Sequence, residues 1–213
     1  MTKLGYKNII MDKKLPISIP LQIGKQAPNF LTVGVFKNRL GKIRLSDYRG
    51  KKYVVLVFYP ANFTSVSLTE LISLNNRISE FRELSTQILA ISVDSPFSHL
   101  QFSLSKLNNG RLNQLNFPLI SDLSQKITKA YQLLSDDGFA LPGLFIIDKE
   151  NIIQYHTVNN LLCGRSVTEL LRVLQSIQYI KENPGQVCPV DWKRGDQISY
   201  SYPGKSKRYF KKF

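Results

Sequence analysis

The chain has 213 residues, 43% of them hydrophobic and 21% charged, which suits one globular domain with a proper core, or one domain plus tails. No uncharged apolar stretch reaches the roughly 18 to 20 residues that a spanning helix needs, so the expectation is a soluble protein. The formal net charge of +14 makes a polyanion or a large complex a possible partner. Lys3, Lys7, Lys13 and Lys14 stand at the front, and Lys205, Lys207, Arg208, Lys211 and Lys212 at the back; the plainer reading of both ends is a solvated tail.

Two cysteines, Cys163 and Cys188, are too few for a disulfide scaffold. Their spacing gives no zinc pattern, and with only His99 and His156 beside them no metal or other cofactor is expected. Alanine is scarce, while Lys, Asn, Ile, Tyr and Phe abound. This bias resembles an AT-rich coding genome and points to an organelle.

Residues 1–22 read as a basic extension. They have no continuous apolar core, no small-residue cleavage site and no Arg- and Ser-rich character, so neither a secretory signal nor a transit peptide is expected. The compact part begins at "IGKQAPNF" (23–30). Residues 42–60 read as a short strand, a turn at Arg49-Gly50 and a buried strand; Tyr53 to Phe58 lacks polar alternation, as when both faces are covered. Leu71, Leu74, Ile78 and Phe81 recur at spacings of three and four, which predicts one amphipathic helix over about 66–84. "QILAISVD" (87–94) is a second buried strand, Ser95-Pro96 opens a helix, and 124–134 is another helix. Two strands flank Lys149-Glu150-Asn151 as an antiparallel hairpin over 143–158. Ser166 with Glu169 is a capping-box pattern that starts a helix ended by Pro184-Gly185. Residues 184–213 read as a loop and basic tail, with room for a short helix. The order is that of an α/β thioredoxin-like fold with a mixed central sheet flanked by helices.

"IGKQAPNF", "FYPANFTSVSLTE", "SVDSPFSHLQF", "FPLISD", "GLFIIDKE", "GRSVTELLRVLQSIQYIKENPGQVCPVDW" and "KSKRYF" occur in that order over about residues 23–210. In these motifs the chain resembles the typical two-cysteine peroxiredoxins, with a domain over 23–183 and a C-terminal segment, 184–213, that carries the second cysteine. The resemblance implies a thiol at the first turn of a helix, held as thiolate by the helix N-terminus and an Arg, which attacks a peroxide. The sulfenic acid is then trapped by a resolving cysteine of the partner subunit. It also implies a homodimer or higher homo-oligomer, and thioredoxin as the reductant of an active member.

Carried over by residue, the resemblance makes Pro60 the shielding proline, Thr64 the orienting hydroxyl, Glu70 the glutamate of the site and Cys188 the resolving cysteine. The attacking position is Ser67, and the proline expected after it is Leu68. The Arg expected before "GLFIID" is Pro142. The family's "GGLG" segment is Gly110-Arg111-Leu112-Asn113, while its C-terminal Tyr-Phe is kept as Tyr209-Phe210.

A serine oxygen cannot accept oxygen from a peroxide and be recycled as a sulfur can. The expectation is therefore a pseudoenzyme of a lineage that lost the chemistry, with a scaffold or assembly role; a chaperone-like oligomer is a further class. The alternative is a thioredoxin-dependent peroxidase that uses Cys188 or Cys163. Acyl transfer by Ser67 would need a positioned base, and His99 fits a structural role while His156 falls on the hairpin. Cys188 reads as an inert leftover, a mixed- or symmetric-disulfide former, or a relocated attacking thiol. Cys163 reads as a buried structural thiol, and Pro142 as the site of a cis bond.

Overall fold

The computed structural model describes residues 23–105 and 115–201. Gly110 to Asn113 and Tyr209-Phe210 lie outside the described residues. A seven-stranded sheet runs in the order β2-β1-β5-β4-β3-β6-β7. Its strands are β1 (Leu31–Phe36), β2 (Arg39–Arg44), β3 (Tyr53–Phe58), β4 (Thr86–Ser92), β5 (Leu119–Ser121), β6 (Gly143–Ile147) and β7 (Ile153–Val158). β3 pairs in parallel with β4 and antiparallel with β6, so the sheet is mixed.

Every residue of β3 is buried. Val55 and Val57 face one core with Leu71, Leu74, Phe81, Leu170, Leu171 and Leu174. Val54, Leu56 and Phe58 face a second core with Leu45, Leu89, Tyr131, Phe145 and Ile153. This two-sided burial is why the strand lacks polar alternation in the sequence.

The helix expected over 66–84 is two helices, α1 (Ser65–Asn76) and α2 (Ile78–Glu83). The apolar spacing runs on through the break, but Asn75 and Asn76 are poor helix formers. The Asn75 side chain accepts the Asn116 N–H at 2.8 Å. Arg77 leaves helical geometry and clamps Glu80 through Nε and Nη2 at 2.6 and 2.8 Å, while its Nη1 donates to Thr168. α3 (Pro96–Leu104) starts as expected, with Ser95 Oγ accepting the Ser98 N–H. The helix expected over 124–134 shrinks to α4 (Lys126–Ala130), because Gln125 and Gln132 both take positive φ. α5 (Val167–Glu182) is capped by Ser166, which accepts the Glu169 N–H. The Glu169 carboxylate turns to Arg172 instead of closing the capping box.

The β1–β2 hairpin was not legible as a pair of strands. Its two-residue turn is Lys37-Asn38, with both residues at positive φ, a conformation that usually selects Asn-Gly or Asp-Gly. After α5 the described chain, as far as residue 201, forms a small pair, β8 (Gln186–Val187) with β9 (Ser199–Tyr200). Trp192 is buried there against Tyr179. The described helices include none long and apolar enough to cross a membrane.

Gly34, in the middle of β1, is required by close approach. A Cβ there would stand 2.8 Å from the Leu119 carbonyl oxygen and 2.5 Å from Ile43 Cδ1. Gly34→Ala is predicted to destabilise the fold by about 1–3 kcal/mol through overpacking, read as a lowered midpoint in urea unfolding. An unchanged midpoint would mean that the hairpin yields freely.

Candidate active site

The site lies where β3 gives way to α1. Tyr59-Pro60-Ala61-Asn62-Phe63 makes the loop, with Phe63 at φ 63°, and Thr64 is the N-cap residue of α1. Ser67 therefore occupies the third position of the first helical turn, where backbone N–H groups lack intrahelical acceptors and the helix end is electropositive. Its side chain is buried, at 3% exposure.

Thr64 Oγ1 lies 2.6 Å from Ser67 Oγ and 3.0 Å from the Ala61 carbonyl oxygen. A hydroxyl has one proton and a carbonyl has none to give. Both contacts hold together only if Thr64 donates to Ala61 and Ser67 donates to Thr64. Ser67 is thus a hydrogen-bond donor to Thr64, and among the described residues no histidine or carboxylate is hydrogen-bonded to it.

Three residues on, Glu70 meets Arg165, both side chains being over nine-tenths buried. Arg165 donates through Nε to Glu70 Oε1 at 2.9 Å and through Nη2 to Oε2 at 2.5 Å. Its backbone N–H adds a bond to Oε1 at 2.6 Å, and Nη1 donates to the Gly143 carbonyl at 2.6 Å. Sequence reasoning missed Arg165, although it stands in the quoted "GRSV" motif and is the obvious counter-ion for a buried glutamate. Pro142 is buried one residue before the carbonyl that Arg165 binds. Its peptide bond is trans, as are all described bonds, which overturns the cis expectation.

Behind the loop sits a buried polar network. Asp94 accepts the Asn62 N–H at 2.8 Å, the Ser92 hydroxyl at 2.7 Å and the Ser98 hydroxyl at 3.2 Å. His99 is fully buried. Its Nε2 must donate to the Ile120 carbonyl at 3.1 Å, and its Nδ1 lies 3.2 Å from the Asn62 side chain and 3.4 Å from the Tyr59 hydroxyl. Burial lowers the His99 pKa against the pull of Asp94. The expected structural role fits these contacts, which take up both ring nitrogens. His156 stacks on Phe145.

The two thiols stand elsewhere. Cys188 is half-buried, with Sγ 3.9 Å from the Ser176 carbonyl on α5. Burial raises its pKa, against the Ser176 contact and nearby Arg172. Cys163 is exposed, not the buried thiol expected, because Asn160 to Gly164 form a surface turn in which the Asn160 carbonyl accepts the Cys163 N–H. The next residue, Gly164, packs toward Val66 and Glu70: a Cβ there would lie 3.7 and 3.9 Å from them. Cys163 is thus one residue from the wall of the Ser67 site. Among the described residues, no group of three or more His, Cys, Asp or Glu side chains is placed to hold a metal.

A mixed seven-stranded sheet with a loop-to-helix site at the end of the fully buried strand β3 defines a peroxiredoxin-type thioredoxin-like fold. The chain belongs to the AhpC/TSA family, whose model matches residues 23–156. It is 71% identical over 190 residues to "Putative peroxiredoxin ycf42" of Trieres chinensis, covering 89% of this chain and 93% of that one. It is 52% identical to the "2-cysteine peroxiredoxin, chloroplastic" of Chattonella marina var. antiqua, over 89% and 97% of the two chains. Among solved structures, the reduced 2-Cys peroxiredoxin of Plasmodium vivax superposes with a TM-score of 0.86 at 36% identity, covering 90% of this chain and all of that one.

Two outcomes follow from this geometry. Glu70→Gln leaves the Arg165 guanidinium buried without its counter-charge, so a stability loss of about 3–5 kcal/mol is expected. The double change Glu70→Gln/Arg165→Met should recover part of it in denaturant unfolding; no loss in the single variant would refute a stabilising clamp. The second concerns pH. Because the folded His99 pKa is lowered, its contribution to stability is fully present above the ordinary histidine range. It is lost as pH falls through the lower folded value, since the unfolded chain takes up the proton first. The melting temperature should fall between about pH 7 and about pH 5, and less so in His99→Gln; an equal slope in both proteins would exclude His99 as the cause.

Proposed function

We propose that this protein is a peroxiredoxin homologue whose site at the head of α1 does not reduce peroxide, Ser67 standing where the attacking cysteine is expected. The observation that carries this reading is the setting of Ser67 itself. It lies buried in the first turn with Thr64 as its hydroxyl partner, a place suited to a thiolate but filled by oxygen. Peroxide reduction passes an oxygen atom to a two-electron reductant, and the serine oxygen has no sulfenic-acid counterpart that a thiol could reduce. Pro142, at the position expected to hold an anion-stabilising Arg, supports the same reading. Pro60, Thr64 and Glu70 then serve as the frame of a site that binds or holds without turnover, and the fold acts as a scaffold or assembly partner.

A second reading has its own support. Relatives at 71% and 52% identity carry the name peroxiredoxin, and this favours retained thioredoxin-dependent peroxidase activity through a remaining thiol. Cys163 is the better placed of the two, being exposed and next to the residue that packs on Val66 and Glu70. Cys188, at the resolving position, is half-buried and disfavoured as a thiolate by its raised pKa. In either reading a homo-oligomer is proposed. A plastid location is supported by the composition and by the relative named chloroplastic. The net charge supports contact with a polyanion.

The test is hydrogen peroxide consumption coupled to a thioredoxin system, with the natural chain beside Cys163→Ser and Cys188→Ser. The expected result is no turnover above the protein-free blank for any of the three. Turnover by the natural chain that one cysteine replacement abolishes would overturn the first reading and name the working thiol.

A further inference from the structure

The β1–β2 hairpin forms one border of the sheet, and β2 is its outermost strand. Among the described residues β2 pairs only with β1, so the backbone groups on its far side face away from the sheet. Five of its six residues are exposed. The strand and its turn carry Lys37, Arg39, Lys42 and Arg44 and no acidic residue. Neither β1 nor α3, which packs on the hairpin, supplies one. None of the four cations has an ion pair among the described residues; Lys37 lies over the Phe36 ring, 5.6 Å from its centroid.

The register sets how these charges are spread. Lys42 pairs with Val33 and Arg44 with Leu31, while Arg39 pairs with Phe36. Alternation along a strand puts Lys42 and Arg44 on one face with Leu40, and Arg39 on the other with Ile43. Leu31, Val33, Phe36 and Leu40 are all at least 36% exposed. The edge therefore offers main-chain partners, cations on both faces and apolar surface between them.

We propose that this edge docks an extended acidic peptide by strand addition. Cations on an open edge repel a second copy of the same strand, and the same charges attract a strand that carries carboxylates. The main chain supplies affinity and the side chains select the sequence. A peptide laid along β2 places alternate side chains beside Lys42 and Arg44 on one face and beside Arg39 on the other. An alternating acidic and apolar sequence matches this pattern.

The test is fluorescence anisotropy on the full chain with a labelled decapeptide of alternating Glu and Val, compared with its Lys-for-Glu counterpart and a version interrupted by a central Pro. Binding of the acidic peptide alone is expected, weakening with salt. Arg39→Glu/Lys42→Glu/Arg44→Glu should weaken it at least about tenfold, and the Pro version should bind comparably poorly. If that triple variant fails to fold by circular dichroism, Lys42→Ala/Arg44→Ala decides, with a several-fold loss expected. Equal binding of the Pro version, no effect of the edge variants, no binding of the acidic peptide, or its displacement by a single-stranded RNA oligonucleotide from an edge-independent site would each overturn the proposal.

Discussion

The contact between Glu70 and Arg165 fixes three parts of the chain at one point. Glu70 belongs to the second turn of α1, Arg165 to the turn that leads into α5, and the carbonyl that takes the third guanidinium bond is the first residue of β6. Two buried charges are tolerated only because nearly every donor and acceptor is matched. That matching demands a fixed distance between the helix start and the strand beside it. The position of Ser67, one turn before Glu70, follows from it. The Asp94 and His99 network holds the other side of the same loop, so the first turn of α1 is gripped from both flanks.

Within that frame the proposed lack of peroxide chemistry rests on the atom at position 67. A helix N-terminus stabilises an anion, but a serine hydroxyl without a nearby base stays protonated. Here it is further tied as a donor to Thr64. Pro60, Thr64 and Glu70 match the pattern of the resemblance, while Ser67 and Pro142 depart from it. The clamp between Glu70 and Arg165 does not use the Ser67 hydroxyl.

Much of the fold was legible because its strongest signals are local. β3 reads as buried from its unbroken apolar run, and α5 from its cap and apolar spacing. Expectation failed where a long-range side-chain contact or an uncommon local backbone conformation intervened. Asn75 and Arg77 break a helix whose apolar period continues, through bonds to Asn116 and Thr168. Lys37-Asn38 forms a tight turn without the glycine that usually marks it. The site was legible at Thr64, Ser67 and Glu70 because they share one helix turn and one motif. Arg165 escaped notice because its partner lies 95 residues away. Cys163 was misplaced because its position, commonly apolar in the family of the resemblance, falls on a surface turn here.

The proposed silence of the site rests first on oxygen at position 67. It is tested most directly by single-turnover peroxide consumption in a chain carrying Cys163→Ser and Cys188→Ser, with and without Ser67→Cys. No consumption above the blank is expected for the thiol-free chain. With Ser67→Cys added, stoichiometric loss of peroxide at a rate above that of a free thiol is expected. Consumption by the thiol-free chain, or a folded Ser67→Cys chain no faster than a free thiol, would contradict the proposal.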